Sequence, residues 1–251
     1  MATTTDNSSA NQAYAAGFAE QYDNWFSKPN TTPATIDLLA RLAGDGPALE
    51  LGIGTGRVAL PLAQRGIEVH GVEAEPAMAA RLRGKPGGDG IPVTIGDFVE
   101  APLPGQFALI YVVAGTFFEL PTQQLQIQCL RNAARHLRPG GLFVLDSFLP
   151  EALCEMATAG PVTLPTANGD RMVCSRTIQW AEQRYTSFYS ITTPHGDHNI
   201  EVSFRYAGIG ELDLMAQLAG LSVQHRWGAW DGTPFSDASQ YHVSCYTLDH
   251  G

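Results

Sequence analysis

Basic charge is scarce in this 251-residue chain: 15 Lys and Arg stand against 25 Asp and Glu, for a formal net charge of -10. Nucleic acid binding asks for a basic face that neutralises phosphates, so neither DNA nor RNA is an expected partner. Long apolar runs are missing too. No stretch reaches the roughly 18 apolar residues of a membrane helix, and no secretory leader is visible, so the expectation is a cytoplasmic protein with no membrane partner. Cysteine is sparse, at Cys129, Cys154, Cys174 and Cys245, and never in C-x-x-C spacing. These positions sit in apolar patterns and read as reduced core residues rather than a disulfide framework. His195, Asp197 and His198 have metal-binding chemistry but no further cluster to complete a shell, so no metal is expected. What is plentiful is hydrophobic residue, 44% of the chain. That is enough for one large α/β domain or two small ones.

Two common nucleotide-binding motifs are also absent, and their absence is informative. The apolar run Pro47 to Leu51 is cut off by glycines at alternate positions, Gly52, Gly54 and Gly56. A helical pattern follows at Val58, Leu60, Leu62 and Ala63. This reads as strand, tight turn and helix, with no Cβ to keep a ligand from the turn. Glu73 closes the next apolar run, Ile67 to Val72, seventeen residues past Gly56. A nucleotide-binding unit places there the carboxylate that holds ribose hydroxyls. The first half of the chain is therefore expected to bind an adenosine-containing cofactor. A nicotinamide or flavin fingerprint, G-x-G-x-x-G, would need glycine where Arg57 stands, and no G-x-x-x-x-G-K-[ST] loop occurs. Glu50, two residues before the first glycine, suits a ligand carrying an ammonium and a sulfonium rather than a pyrophosphate.

The pattern acid-x-G-x-G-x-G resembles motif I of the class I S-adenosylmethionine (SAM) methyltransferases. A second match is independent of it: the amphipathic helix Thr122 to Leu137 is stopped by Arg138-Pro139-Gly140-Gly141, and an apolar strand begins at Leu142. The resemblance implies a Rossmann-like α/β sheet of seven strands with the last antiparallel, SAM as cofactor and a small-molecule substrate; homo-oligomerisation is left open. It places the cofactor against Tyr22, Glu50, Gly52, Gly54, Gly56, Glu73, Ala74, Gly96, Asp97, Phe98 and Ala114. In the family the acid matching Asp97 accepts a hydrogen bond from the adenine amino group, and the neighbour matching Phe98 contacts the ring. The stretch from Glu211-Leu212-Asp213-Leu214 through Trp227 to Phe235 resembles a branch of N-methyltransferases of secondary metabolism in antibiotic-producing bacteria. Members act on amino sugars, and the paired N-terminal tyrosines with Phe117 are similar to those of the lincosamide branch. The implied acceptor is an amine nitrogen. Methylation of oxygen and a non-catalytic SAM-binding subunit stand as alternatives.

Four residues are catalytic candidates. Tyr14, Phe18, Tyr22 and Trp25 fall near helical spacing. They form either a packing face or a lid that presents Tyr14 and Tyr22 to the reacting centre. Phe107 to Ala114 reads as a buried central strand, and the loop after it, Gly115 to Leu120, faces the same crevice as the glycine turn. There Phe117 offers an aromatic face for a sulfonium or ammonium. Glu119, the one charge in that loop, is either a base or ammonium partner, or the cap of the next helix. From Val162 to Tyr206 alternating stretches separated by Asn168-Gly169-Asp170 and His195-Gly196-Asp197 read as an antiparallel meander. The expected organisation is a tail and lid helix over 1–30, a SAM-binding domain over 31–150 and 208–251, and an antiparallel β insertion over 151–207 covering the substrate site.

Overall fold

The structure is a computed structural model that describes residues 8–26, 32–103 and 105–249, with side chains from Gly17 onward. Helix α1 (Ser8–Trp25) leads to α2 (Pro33–Ala43), whose first turn Pro33 pre-sets. The Thr32 hydroxyl caps α2 by accepting from the Thr35 amide. Then come β1 (Ala48–Leu51), α3 (Ala59–Gln64), β2 (Val69–Glu73), α4 (Pro76–Arg83), β3 (Val93–Ile95) and β4 (Phe107–Val112). After α5 (Gln123–His136), β5 (Leu137–Phe148) and α6 (Pro150–Thr158), the chain makes β6 (Val162–Leu164), β7 (Arg171–Gln179), β8 (Arg184–Thr193) and β9 (Gly196–Arg205). It ends with α7 (Ile209–Leu218), β10 (Leu221–Trp227) and β11 (Tyr241–Leu248).

Seven strands form one sheet in the order β10-β11-β5-β4-β1-β2-β3. The strands from β5 to β3 pair in parallel, while β11 runs antiparallel between β5 and β10. This is the Rossmann-like α/β class with an antiparallel final strand. Every residue of β1 and β4 is buried, as parallel strands covered by helices on both faces should be. Two apolar clusters flank the sheet. One holds Leu49, Ile110, Phe117 and Phe143 with α5 and α7; the other holds Leu39, Leu62, Leu109 and Val144 with α2 and α3.

The second sheet, β6-β7-β8-β9, is an antiparallel meander. Its Tyr185 and Phe204 rings stack 4.5 Å apart and join the first of those clusters, so the two sheets share apolar packing. Its other end packs with Trp25 of α1, through Met172, Ile191 and Ile200.

The helix bounds differ from the sequence pattern in two places. Nothing in the pattern marks α6, a nine-residue helix opened by Pro150 with no side-chain cap. The apolar pattern reads as a helix from Leu212, but α7 starts three residues earlier at Ile209, after Gly208, which is extended and serves as its N-cap. Three of the four cysteines are buried, Cys154 is half-buried, and all four are free thiols.

Candidate active site

The glycine turn lies at the carboxyl end of β1. Gly52, Gly54 and Gly56 all have positive φ, +73°, +56° and +78°. A Cβ at Gly56 would overlap Leu82, so that glycine closes the helix against the turn. A Cβ at Gly54 would meet only Met78 Cε, 3.5 Å away, and otherwise point into open space. Gly54 is thus the glycine that leaves room for a ligand.

Glu73, at the end of β2, holds this turn from the side. Its Oε2 accepts from the Gly54 amide at 2.8 Å and its Oε1 from the Glu75 amide at 2.8 Å. Desolvation raises its pKa, opposed by these backbone donors. Ala74 follows it directly, at the bend between β2 and α4. Gly96 donates its amide to the Glu73 carbonyl at 2.9 Å, which brings the Gly96-Asp97-Phe98 corner beside the same edge. The Phe98 Cε1 atom is 3.9 Å from where a Gly52 Cβ would stand, and Asp97 is exposed, its Oδ1 accepting from the Val99 amide at 2.8 Å.

A small polar cavity opens over the turn, lined by Glu50, Gly52, Gly54, Thr55, Arg57, Ala114, Thr116 and Tyr22 among others. Glu50 is only 2% exposed and accepts from the Tyr111 hydroxyl at 3.0 Å. Burial pushes its carboxyl up to about 8, against the pull of that hydrogen bond and of the Arg57 charge. A carboxyl and a guanidinium on one small cavity match the ammonium and carboxylate of an amino acid. The residues present therefore fit the methionine end of SAM, with the Glu73 edge left for its ribose. Arg57 escapes the sequence reading because it registers there only as the missing glycine of another motif.

Helix α1 is tied to this turn. Asp23 accepts from the Thr55 hydroxyl at 2.6 Å and pairs with Lys85 at 2.7 Å, while Lys85 also donates to the Thr55 carbonyl at 2.7 Å. Tyr22 stands between Phe18 and Phe26, its ring centroid 5.5 Å and 5.4 Å from theirs. Burial raises its hydroxyl pKa, with Arg57 pulling the other way. Tyr14 belongs to α1, but its side chain lies outside the described residues. Trp25 turns away from this stripe: its indole donates to Asp170 at 2.9 Å, on the second sheet's side.

One expectation for the loop after β4 needs correction, and one of two alternatives there falls away. The sequence pattern gives Phe117 an aromatic face for a sulfonium or ammonium. Instead the loop winds into a 3-10 turn over Thr116–Glu119, which points both Phe117 and Phe118 inward. Phe117 is 0% exposed and packs edge-on against Phe118, so no ligand reaches its face. Helix α5, for its part, is capped by Thr122, which accepts from the Leu125 amide; the capping role open to Glu119 is taken. Glu119 is exposed to solvent. Desolvation there, and then the Glu73 charge, raise its pKa to about 7.

A larger cavity of about 320 Å³ lies between the main sheet and the meander. Its wall carries six aromatic rings: Phe26, Phe148, Tyr185, Tyr189, Phe204 and Tyr241. These came from alternate positions on β8 and β9 and from strand ends, which no local motif singles out. Ala114 lines this cavity and the polar one alike. It is a non-glycine residue at φ +60°, an uncommon conformation that a neighbour must hold in place. Asp146 does so. Fully buried at the end of β5, it accepts from the Gly115 amide at 3.2 Å, the Trp230 indole at 2.8 Å and the Tyr241 hydroxyl. Burial raises its pKa and these donors oppose the rise.

The chain is similar to known proteins. Residues 48–141 match the methyltransferase domain family. The cypemycin N-terminal methyltransferase of a Streptomyces species is 31% identical over 199 residues, 76% of this chain and 79% of its own. The CcbJ methyltransferase from Streptomyces caelestis superimposes with a TM-score of 0.83 at 32% identity, over 94% of this chain and 98% of that one. The chain belongs to the class I SAM-dependent methyltransferases. Its cofactor is SAM. The fold also extends to SAM-bound CalS10 from Micromonospora echinaspora, an amino pentose methyltransferase involved in calicheamicin biosynthesis. There the TM-score is 0.62 at 18% identity, over 98% of this chain and 100% of that one.

Proposed function

We propose that this methyltransferase acts on an amine nitrogen of a small metabolite of the antibiotic-precursor kind, held in the cavity between the two sheets. The observation that carries this is Ala114, which is wall to both cavities and so marks where acceptor and cofactor meet. When bound, SAM supplies an electrophilic methyl group on a sulfonium. Glu50 and Arg57 hold the amino acid end, Glu73 the ribose, and Asp97 with Phe98 the adenine. Gly52, Gly54, Gly56, Ala74 and Gly96 keep the backbone close enough for them to do so. The rest of the chain aligns the acceptor and excludes water.

Three features support nitrogen. The N-terminal methyltransferase named above shares nearly a third of its aligned residues with this chain. The cavity is lined by aromatic rings, which hold a cationic product by about 0.5–2 kcal/mol each. And Glu119, poised at about 7, is matched to taking a proton from an amine near neutrality. Glu119 lines neither cavity, but its charge is felt at Tyr22, which lines the polar one, and at Tyr185, which lines the larger one. Tyr22 orients the acceptor, with Tyr14 one pair of helical turns away on α1. A non-catalytic SAM-binding subunit would have no use for an acceptor cavity, and this one is about 320 Å³, within the range that takes a small ligand.

The test is incubation with methyl-labelled SAM and a panel of amino sugars, lincosamide-type amines, peptide N-termini and phenols. Label on nitrogen, located by mass fragmentation, is the expected result. Label on phenolic oxygen alone would replace this reading with O-methylation, and no label on any acceptor would favour the non-catalytic one.

A further inference from the structure

The acceptor cavity is apolar apart from one corner. Arg176 is the only charged residue among those lining it. It lies on β7 directly across from Ser187 of β8, with Cys174 opposite Tyr189 and Ile178 opposite Tyr185. Ser187, Tyr185 and Tyr189 also line the cavity, so three hydroxyl-bearing side chains share its wall with Arg176. No carboxylate answers it: none of the ion pairs or side-chain hydrogen bonds among the described residues includes Arg176. The charge is felt locally, since it favours ionisation of Cys174, Tyr185 and Tyr189 against the effect of burial.

A half-buried guanidinium with no partner among the described residues, beside hydroxyl-bearing side chains, is an incomplete anion site. Its planar fork of N–H groups matches a carboxylate in two-point fashion. If a wholly neutral acceptor filled the cavity, it would strip water from the cation and leave nothing in exchange, which is unfavourable. An acceptor bearing a second ammonium near that corner would be repelled.

We infer that Arg176, with Ser187 and the two tyrosines beside it, binds a carboxylate carried by the methyl acceptor. The acceptor is thus an amino acid-like molecule, amine at Ala114 and carboxylate at Arg176. This rests on the cavity being the acceptor site, as proposed above.

The experiment uses the full chain loaded with S-adenosylhomocysteine and a matched probe pair, phenylacetate and its uncharged amide, phenylacetamide, with binding followed by calorimetry. Phenylacetate should bind at least about tenfold more tightly than the amide. Arg176→Gln should abolish that preference and Arg176→Lys keep part of it. The affinity for S-adenosylhomocysteine, measured in each variant, reports on whether the fold is intact. Equal binding of the two probes to the wild type, binding of neither, or a preference that survives in Arg176→Gln would each overturn the assignment. Failure of the N-methyl reading looks different: the carboxylate preference and its loss in Arg176→Gln would stand while no amine took up label. Amines methylated equally well with and without a carboxylate would leave that reading in place and remove this one.

Discussion

Glu50 and Glu119 are the two carboxyls whose environments depart furthest from water among those around the cofactor turn, and they make opposite demands. Glu50 is buried and raised from 4.5 to about 8, so the cofactor-free protein holds it mostly protonated at neutral pH. Its folded pKa lies above the unfolded one, so ionisation weakens the fold. The contribution to stability is therefore greatest below about 4.5 and declines as pH rises towards 8. An arriving ammonium reverses this by favouring the carboxylate. Thermal unfolding of the cofactor-free protein should show a melting temperature that falls between these pH values, and Glu50→Gln should flatten the fall. A parallel slope in that variant would mean other groups carry it. Glu119 is exposed and must be ionised to take a proton. With a pKa of about 7, it should give a kcat/KM that rises through neutrality and levels above it. Glu119→Gln should lose that limb; an unchanged profile would assign the rise to the amine itself. A further substitution probes the turn these residues serve. Gly54→Val should abolish SAM binding, because the branched side chain at φ +56° occupies the open space over the turn. Glu73→Ala should weaken it by about 1–3 kcal/mol, measured by calorimetry on folded protein.

At the scale of elements, what matters is how α1 is held and what it covers. Tyr22 lines the polar cavity over the glycine turn, so α1 stands against the place proposed for the methionine end of SAM. Asp23 anchors the helix there through Thr55 and Lys85. Asp23→Ala should therefore cost about 1–2 kcal/mol of SAM affinity, roughly five- to thirtyfold. Tyr22→Phe keeps the ring contacts with Phe18 and Phe26 and removes the hydroxyl; as an orienting group it should lower kcat by about a hundredfold with little change in SAM affinity. Normal rates in both would reduce α1 to packing. Much of this element was readable beforehand: Phe18 and Tyr22 at i and i+4 do share a stripe. The departure is Trp25, which an i+3 step assigns to the same stripe but which faces the meander. The loop after β4 was harder. Its crevice-facing position followed from the apolar run Phe107 to Val112 ending there, whereas the inward turn of Phe117 depends on a left-handed Gly115 that no local pattern announces. Strand and glycine-turn chemistry is local and therefore legible. The aromatic wall is assembled from β5, β8, β9, β11 and the residue after α1, so it exists only once the chain has folded.

Taken whole, the molecule is two sheets with α1 stapled to both. One end of the staple is Asp23 on the glycine turn; the other is Trp25, buried in the meander's own apolar cluster and hydrogen-bonded to Asp170, with the Asn24 carbonyl accepting from Ala167 at 2.7 Å. Adjacent residues of one helix thus touch the cofactor turn and the roof of the acceptor cavity. Phe26 extends the link by packing edge-on against Tyr189, 5.1 Å away. A ligand that closes α1 over the turn must then also steady the meander, although it touches only the main sheet. Amide hydrogen exchange with and without S-adenosylhomocysteine measures this directly. Protection should increase in the glycine turn, in α1 and also in β7 and β8, because local opening of the meander requires releasing Trp25. Asp170→Ala loosens the staple at its far end, by removing the acceptor of the Trp25 indole, without approaching the glycine turn. In that variant the turn should still gain protection on ligand binding, while the gain in β7 and β8 should shrink or vanish. If β7 and β8 are protected as fully as before, the two sheets are coupled through their shared packing at Tyr185 and Phe204 instead, and α1 serves the cofactor alone.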